Sequence, residues 1–258
     1  MRIRIDVEMA YQIAKADPVL LALEVAAAEG QTILDSALDI TDASLQRVSG
    51  QAEVGQWVWA MVPGTRLDLR YGATVEITRP AVTLDVLAAS PAHSLPSTVL
   101  TYLRPSRYCQ SDLFTTFAQR QFGHLEGGAK TTAILDWVRQ EIEYRPGSSH
   151  GGTTAMDTFV SRQGVCRDYT HLVCTLARAA GLPARYASVY GADVDPQDFH
   201  AVAQVWLNDA WHLVDATGMS VAEGMAVVAC GRDAGDVAFM ETSHWADFIH
   251  QSVVVTRL

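Results

Sequence analysis

A chain of 258 residues that is 49% hydrophobic and 19% charged can bury the core of one large domain or two modest ones, and it carries none of the low-complexity tracts or fixed repeats of disordered or solenoid proteins. A formal net charge of −10 with no basic stripe argues against a nucleic-acid partner, because phosphate-backbone affinity comes from clustered Lys and Arg. The cysteines, Cys109, Cys166, Cys174 and Cys230, are too few and too scattered for a disulfide scaffold, so reduced thiols are expected.

The chain begins MRIRIDVEM, with Ile3, Ile5, Val7 and Met9 at alternate positions, which predicts a strand with one wet face rather than a charged leader ahead of an apolar run. No signal peptide is expected, and the chain reads as soluble and cytoplasmic. The most apolar early segment, PVLLALEVAAAEG, is far short of the ~20 residues that span a bilayer and holds Glu24, so no membrane partner is expected. WVWAMV, Trp57 to Val62, runs into the turn pair Pro63-Gly64, after which Leu67, Leu69, Tyr71, Ala73, Val75 and Ile77 recur with period two. This predicts an antiparallel β-sandwich or meander over residues 1–100. SPAHSLPSTVLTYLRP, Ser90 to Pro105, then crosses into a second domain over 101–258.

After Pro105 the period changes. DLFTTFAQRQFG is followed by KTTAILDWVRQEIEY, which sets Ile134, Trp137, Val138 and Ile142 at helical spacing, and the loop RPGSSHGGT ends that helix. Thr154 with Asp157 predicts a capping-box start for a short helix that carries Met156, Phe159 and Val160 and stops near Gly164. Tyr169, Leu172, Val173, Leu176, Ala177 and Ala180 then form the stripe of an amphipathic helix that ends at Gly181 and Pro183. Cys166 falls in its first turn.

That position matters chemically. First-turn N–H groups lack partners and present roughly half a positive charge, which stabilises a thiolate and makes the sulfur a usable nucleophile. Cys174 lies mid-helix without this advantage, and Cys109 and Cys230 have no chemically suggestive neighbours, so all three read as packing residues. A nucleophilic cysteine needs a base. His171 is nearest in sequence but lies about 140° around the helix from Cys166, so it should not face the sulfur.

A better candidate stands in DFHAVAQVWLNDAWHLVDATG, where Phe199 to Leu207 and Trp211 to Val214 read as strands joined by a two-residue Asn208-Asp209 loop. Pairing Leu207 with Ala210 puts His200 and Asp215 on one face as diagonal neighbours, with Cβ atoms roughly 7 to 8 Å apart and within reach of an imidazole–carboxylate hydrogen bond. His212 falls on the opposite pleat from Trp211 and reads as a surface or packing residue. Periodicity alone does not bring this hairpin to the helix start.

GVCRDYTHL, FHAVAQVWL and WHLVDATG, in the order Cys, His, Asp, with an aspartate just after the cysteine, resemble the transglutaminase-like superfamily over about 160 residues at the C-terminal end. RPSRYCQSD, YRPGSS and the strand-rich first half are similar to its bacterial cysteine-protease branch with an N-terminal β-domain. The resemblance implies an α+β protein: an antiparallel β-sandwich domain followed by a papain-like transglutaminase core, in which the cysteine helix packs on an antiparallel sheet. It also implies Cys166 as nucleophile, His200 as general base and acid, and Asp215 as the group that orients the imidazolium. The implied reaction is thiol-dependent acyl transfer at an amide of a peptide or protein substrate through a thioester, as a peptidase or amidase in preference to a glutamine amine-transferase.

The N–H of Cys166 is a natural oxyanion donor, and Tyr144 and His150 are candidates for a second. No cofactor or metal is expected, since Cys166, His171 and Cys174 lack compact ligand spacing. A non-catalytic interaction domain is the competing reading. The first domain is left as a gate, a substrate-presenting surface or a means of homo-oligomer formation.

Overall fold

The computed structural model describes residues 1–51 and 54–258. The first half is built of strands: β1 (Arg2–Ile13), β2 (Pro18–Leu21), β3 (Gln31–Ile40), β4 (Ser44–Ser49), β5 (Gln56–Met61) and β6 (Arg66–Ile77). Short helical turns, among them α1 (Ser97–Leu100), lead to α2 (Thr115–Phe122) and α3 (Gly127–Glu141). There follow β7 (Glu143–Tyr144), α4 (Ala155–Ser161), β8 (Gln163–Gly164) and α5 (Cys166–Ala179). The chain finishes with β9 (Ala184–Gly191), β10 (His200–Leu207), β11 (Ala210–Val214), β12 (Met225–Gly231), β13 (Met240–Thr242) and β14 (Ala246–Arg257). Among the described residues no helix is long and apolar enough to cross a membrane.

Two four-stranded antiparallel sheets, β14-β1-β6-β3 and β13-β2-β5-β4, share one core, so the first half is a β-sandwich. The alternation seen in the sequence is the reason: Ile3, Ile5, Val7 and Met9 of β1 and Leu67, Leu69, Tyr71, Ala73 and Val75 of β6 all point inward and are buried. Each large apolar side chain removed from water in this way contributes about 1.5–3 kcal/mol.

The C-terminal segment crosses the expected division. β14 pairs with β1 from Ile3↔Arg257 to Ile13↔Ala246, and β13 pairs with β2, so the last strands lie in the sheets of the first half. Without β14, β1 would expose a row of unpaired N–H and C=O groups along its outer side. A linear division at residue 100 therefore leaves out a structural part of the sandwich.

The second half is a third antiparallel sheet, β11-β10-β9-β12, with α5 packed on β10 and β9. This is the α+β arrangement of a cysteine-bearing helix on an antiparallel sheet. Its buried Tyr186, Tyr190, Ala201 and Ala226 continue the sandwich core, so the halves meet through apolar contact. α5 differs from the amphipathic helix expected: Asp168 to Arg178 are all buried, polar residues included. Thr170 spends its hydroxyl on Cys166 O at 2.8 Å, and Arg178 donates to the carbonyls of Ala184 and Arg232, which is how polar groups survive inside. α4 has the expected capping box, with Thr154 N–H donating to Asp157 Oδ2 at 2.9 Å, but ends at Ser161 rather than near Gly164. Arg162 takes a left-handed φ of 57° there and turns the chain into β8.

Candidate active site

Three local devices bring the chain to Cys166. β8 runs parallel to β7 with Tyr144 opposite Gly164, which fixes the approach to the helix. Gly164 is required by space, since a Cβ there would come within 2.7 Å of Asp168 Cβ. Asp168 is fully buried and accepts the Val165 N–H at 2.9 Å, closing the helix entry. Cys166 is thus the first helical residue and half-buried, at the end of the helix where the dipole is positive.

The β10–β11 hairpin supplies the other groups. Asn208 and Asp209 take φ of 49° and 59°, the left-handed pair that a tight primed turn requires, and Leu207 pairs with Ala210 as the loop length predicts. The ladder runs to Ala203↔Val214, and just beyond it His200 Nε2 lies 2.9 Å from Asp215 Oδ2. Their side chains are 1% and 3% exposed. Asp215 Oδ1 accepts from Thr217 N–H at 2.8 Å and Thr217 Oγ1 at 2.7 Å, while Oδ2 also takes Ser220 N–H at 3.1 Å.

These contacts set the charges. Burial pushes the Asp215 carboxyl up, but the hydrogen bonds and charge of His200 and the bonds from Thr217 outweigh it and hold it below the usual carboxylate range. Burial likewise works against the imidazolium of His200, and Asp215 together with the Cys166 thiol overcomes it and raises the imidazole to about 9. An ionised Asp215 only accepts, so Nε2 donates to it and Nδ1 is the ring nitrogen left for another partner. Cys166 is close enough for its thiol to bear on the charge of His200, and among the described residues no hydrogen bond joins the two.

His171 is elsewhere, as the helical angle requires. It is fully buried between the rings of Tyr108 and Tyr186, at 5.1 and 5.2 Å, and its Nε2 accepts Ala234 N–H at 3.1 Å. Burial and the nearby Arg167 and Arg178 hold it well below the ordinary imidazole value. Cys109, Cys174 and Cys230 are buried, and burial pushes all three thiols up. His212 reaches Leu207 O at 3.1 Å. His150 Nδ1 accepts Gly152 N–H at 3.0 Å and so serves its own loop. Among the described residues no group of three or more His, Cys, Asp or Glu side chains is arranged to hold a metal ion.

Several participants escaped the sequence reading. Thr217 had a signal, since an Asp two residues before a Thr readily accepts its backbone N–H in a local turn. Arg167 had none. It donates to the carbonyls of His150, Gly151 and Thr153 and ties the glycine-rich loop to the residue after Cys166.

With this geometry in view, the likeness to known proteins is specific. The sequence profile of the Transglutaminase-like superfamily matches residues 115–216, a span that includes Cys166, His200 and Asp215. A solved structure from Cytophaga hutchinsonii, described as a "putative cysteine protease", is 32% identical with a TM-score of 0.93, covering 99% of this chain and 90% of that one. An uncharacterized protein of Mycobacterium leprae is 31% identical over 138 residues, 49% of either chain. One of Mycobacterium tuberculosis is 33% identical over 115 residues, 39% of this chain and 37% of that one. The chain thus spans about half the length, or less, of the curated relatives it matches.

Proposed function

The chain belongs to the transglutaminase-like superfamily, and from that premise we propose that it is a thiol-dependent enzyme that cleaves amide bonds with Cys166 as nucleophile, His200 as base and acid, and Asp215 as orienting carboxylate. The observation that carries this reading is the buried 2.9 Å contact between His200 and Asp215, next to a cysteine at a helix start. A structural ion pair would not need a thiol as its neighbour.

The reaction runs in two halves. With the Cys166 proton already held on His200 Nδ1, as a raised imidazole favours, the thiolate sulfur bonds to the amide carbon and the carbonyl π pair moves onto oxygen. As that oxyanion collapses, the carbon–nitrogen bond breaks and His200 returns the proton to the departing amine, leaving a thioester. Water, deprotonated by His200, then attacks the thioester, and the acid departs as the thiol is restored. An amine in place of water would give cross-linking. Asp215 stabilises the imidazolium in both halves and keeps Nδ1 turned to sulfur.

We assign the chemistry to the unit that follows residue 100, with a companion β-domain formed by residues 1–100 and the returning β14. Hydrolysis is preferred to amine transfer because of the likeness to a protein described as a protease and because no amine-acceptor motif stands out in the sequence. The test is a peptide-library cleavage profile of wild type beside Cys166→Ala, with product masses read in the presence of a labelled amine. Cleavage by wild type alone is expected. Equal cleavage by Cys166→Ala would end the reading, and amine incorporation that outruns hydrolysis would replace peptidase with transferase.

A further inference from the structure

His200 is the first residue of β10, and the sheet grips it on one side: it pairs with Val189 of β9, while the ladder to β11 stops at Ala203↔Val214. Strand ends with few neighbours open most readily. The segment that leads into it, residues 192–199, forms no helix or strand of its own. A catalytic base needs a firmer hold, because misplacement by about 1 Å can cost about 10²-fold in rate.

The three residues ahead of His200 each find that hold in the sandwich. Gln197 lays its carboxamide along the free edge of β14, where Nε2 donates to Val255 O at 3.0 Å and Oε1 accepts Val255 N–H at 2.8 Å, as the peptide groups of a neighbouring strand would. Asp198 Oδ1 accepts from Gln251 Nε2 of the same strand at 2.7 Å and from Phe199 N–H at 2.8 Å. Gln251 is in turn tied to β1, since its Oε1 accepts the Tyr11 hydroxyl at 3.4 Å. The Phe199 ring stacks on Phe239, with centroids 4.8 Å apart, and packs on Tyr190 at 5.9 Å. Phe239 O accepts Ala22 N–H at 3.1 Å and Tyr190 donates its hydroxyl to Leu23 O at 2.8 Å, both just after β2. Phe199 and Cys166 rest against the same sandwich core.

Blunting the edge of β14 would require the Gln197 contact alone. The Gln251 bond and the stacked Phe199 pair no backbone group of that edge, and they converge on the residues next to the base. We propose that the sandwich positions His200: Gln251 through Asp198, and the β14 backbone through Gln197, hold the segment that sets the imidazole beside Cys166. This rests on the assignment of His200 as base. Gln197, Asp198 and Gln251 are positioning residues that act through His200, and the companion domain gains a task inside the active site. What Asp198 supplies is an acceptor oxygen rather than a charge, so an amide can take its place.

The test follows acylation of Cys166 in the full chain by p-nitrophenyl acetate, read as the p-nitrophenolate burst, beside urea denaturation of the same variants. Asp198→Ala and Gln251→Ala should slow the burst about 10-fold and shift its pH midpoint, because a displaced imidazole no longer supports the thiolate. Their urea midpoints should stay close to that of wild type, since both side chains lie near solvent. Asp198→Asn, whose amide oxygen still accepts both bonds, should restore the rate to within about threefold of wild type. Unchanged acylation in both alanine variants, an Asp198→Asn as slow as Asp198→Ala, or slowing that merely follows lost stability would overturn the proposal. His200→Ala separates the two readings. Slow acylation there beside fast alanine variants removes the part given to the sandwich alone, whereas a wild-type rate in His200→Ala removes the base assignment and the proposal with it.

Discussion

Two histidines lie almost wholly out of solvent, His200 at 3% and His171 at 0% exposure, and the protein drives them to opposite charge states. Burial disfavours the imidazolium at both sites. At the sheet end, Asp215 faces His200 and carries it up to about 9, whereas inside the helix layer His171 meets Tyr108, Tyr186 and two guanidinium groups and is pushed well down. The residue type and its burial are shared. What separates the raised imidazole from the lowered one is a carboxylate at hydrogen-bond distance, itself held ionised by His200 and Thr217.

The strongest way to break this comparison is Asp215→Asn. Without the charge His200 loses its main support, and acylation of Cys166 by p-nitrophenyl acetate should fall about 10²-fold or more, as for loss of a positioned base. A variant that keeps its acylation rate would mean that the carboxylate does no chemical work. The same substitution tests linkage. The folded His200 titrates near 9 and the unfolded one near ~6.5, so the stability it contributes is whole below that lower value and lost as pH rises toward 9. Urea denaturation from pH 6 to 9.5 should show this decline in wild type and a flatter profile in Asp215→Asn.

His171 should behave in the opposite sense. Because its folded value is depressed, its contribution is whole above about pH 6.5 and is lost as acid charges the unfolded chain first. His171→Phe removes the acceptor of Ala234 N–H and should cost about 1–3 kcal/mol at pH 8, with a gap to wild type that narrows at pH 5.5. A gap that widens in acid would reverse the sign assigned to this site. The smallest effect is expected at Thr217→Ala, which deletes one of two bonds to Asp215 Oδ1, worth about 0.5–1.5 kcal/mol. That should lower the acylation rate a few-fold and shift its pH midpoint slightly, and no change in either would relegate Thr217 to the turn.

A second contrast, among the cysteines, is open to simple chemistry. Cys109, Cys174 and Cys230 are buried with raised thiols, so iodoacetamide should label Cys166 in the folded protein and all four only after denaturation. Early labelling of Cys174 would mean that α5 opens more readily than its packing suggests.

Much of the hairpin was legible in the sequence. A two-residue loop of turn-forming residues leaves few registers for its strands, and the pairing of Leu207 with Ala210 follows, as does the shared side of His200 and Asp215. The same holds for β1 and β6, where strict alternation admits only one inward face, and for Cys166 at the start of α5, where the apolar stripe marks the helix. Ala184–Gly191 and Met225–Gly231 went unread because both faces of β9 and β12 are covered, so their near-continuous apolar runs show no alternation. β14 went unread for a different reason. Its partner, β1, begins the chain, and nothing local in Ala246–Arg257 specifies a strand so distant.

The sequence by itself determined the short-range parts: which segments become strands or helices, where α5 begins, and how the β10–β11 turn aligns its histidine and aspartate. These depend on side-chain periodicity and turn stereochemistry, which act over a few residues. Only the tertiary structure decided that α5 lies at the end of that hairpin, that β7 pairs with β8 just ahead of Cys166, and that β14 closes the first sheet. Contacts of that kind form between faces that are already folded, and their choice depends on how whole layers bury one another rather than on any single stretch of chain.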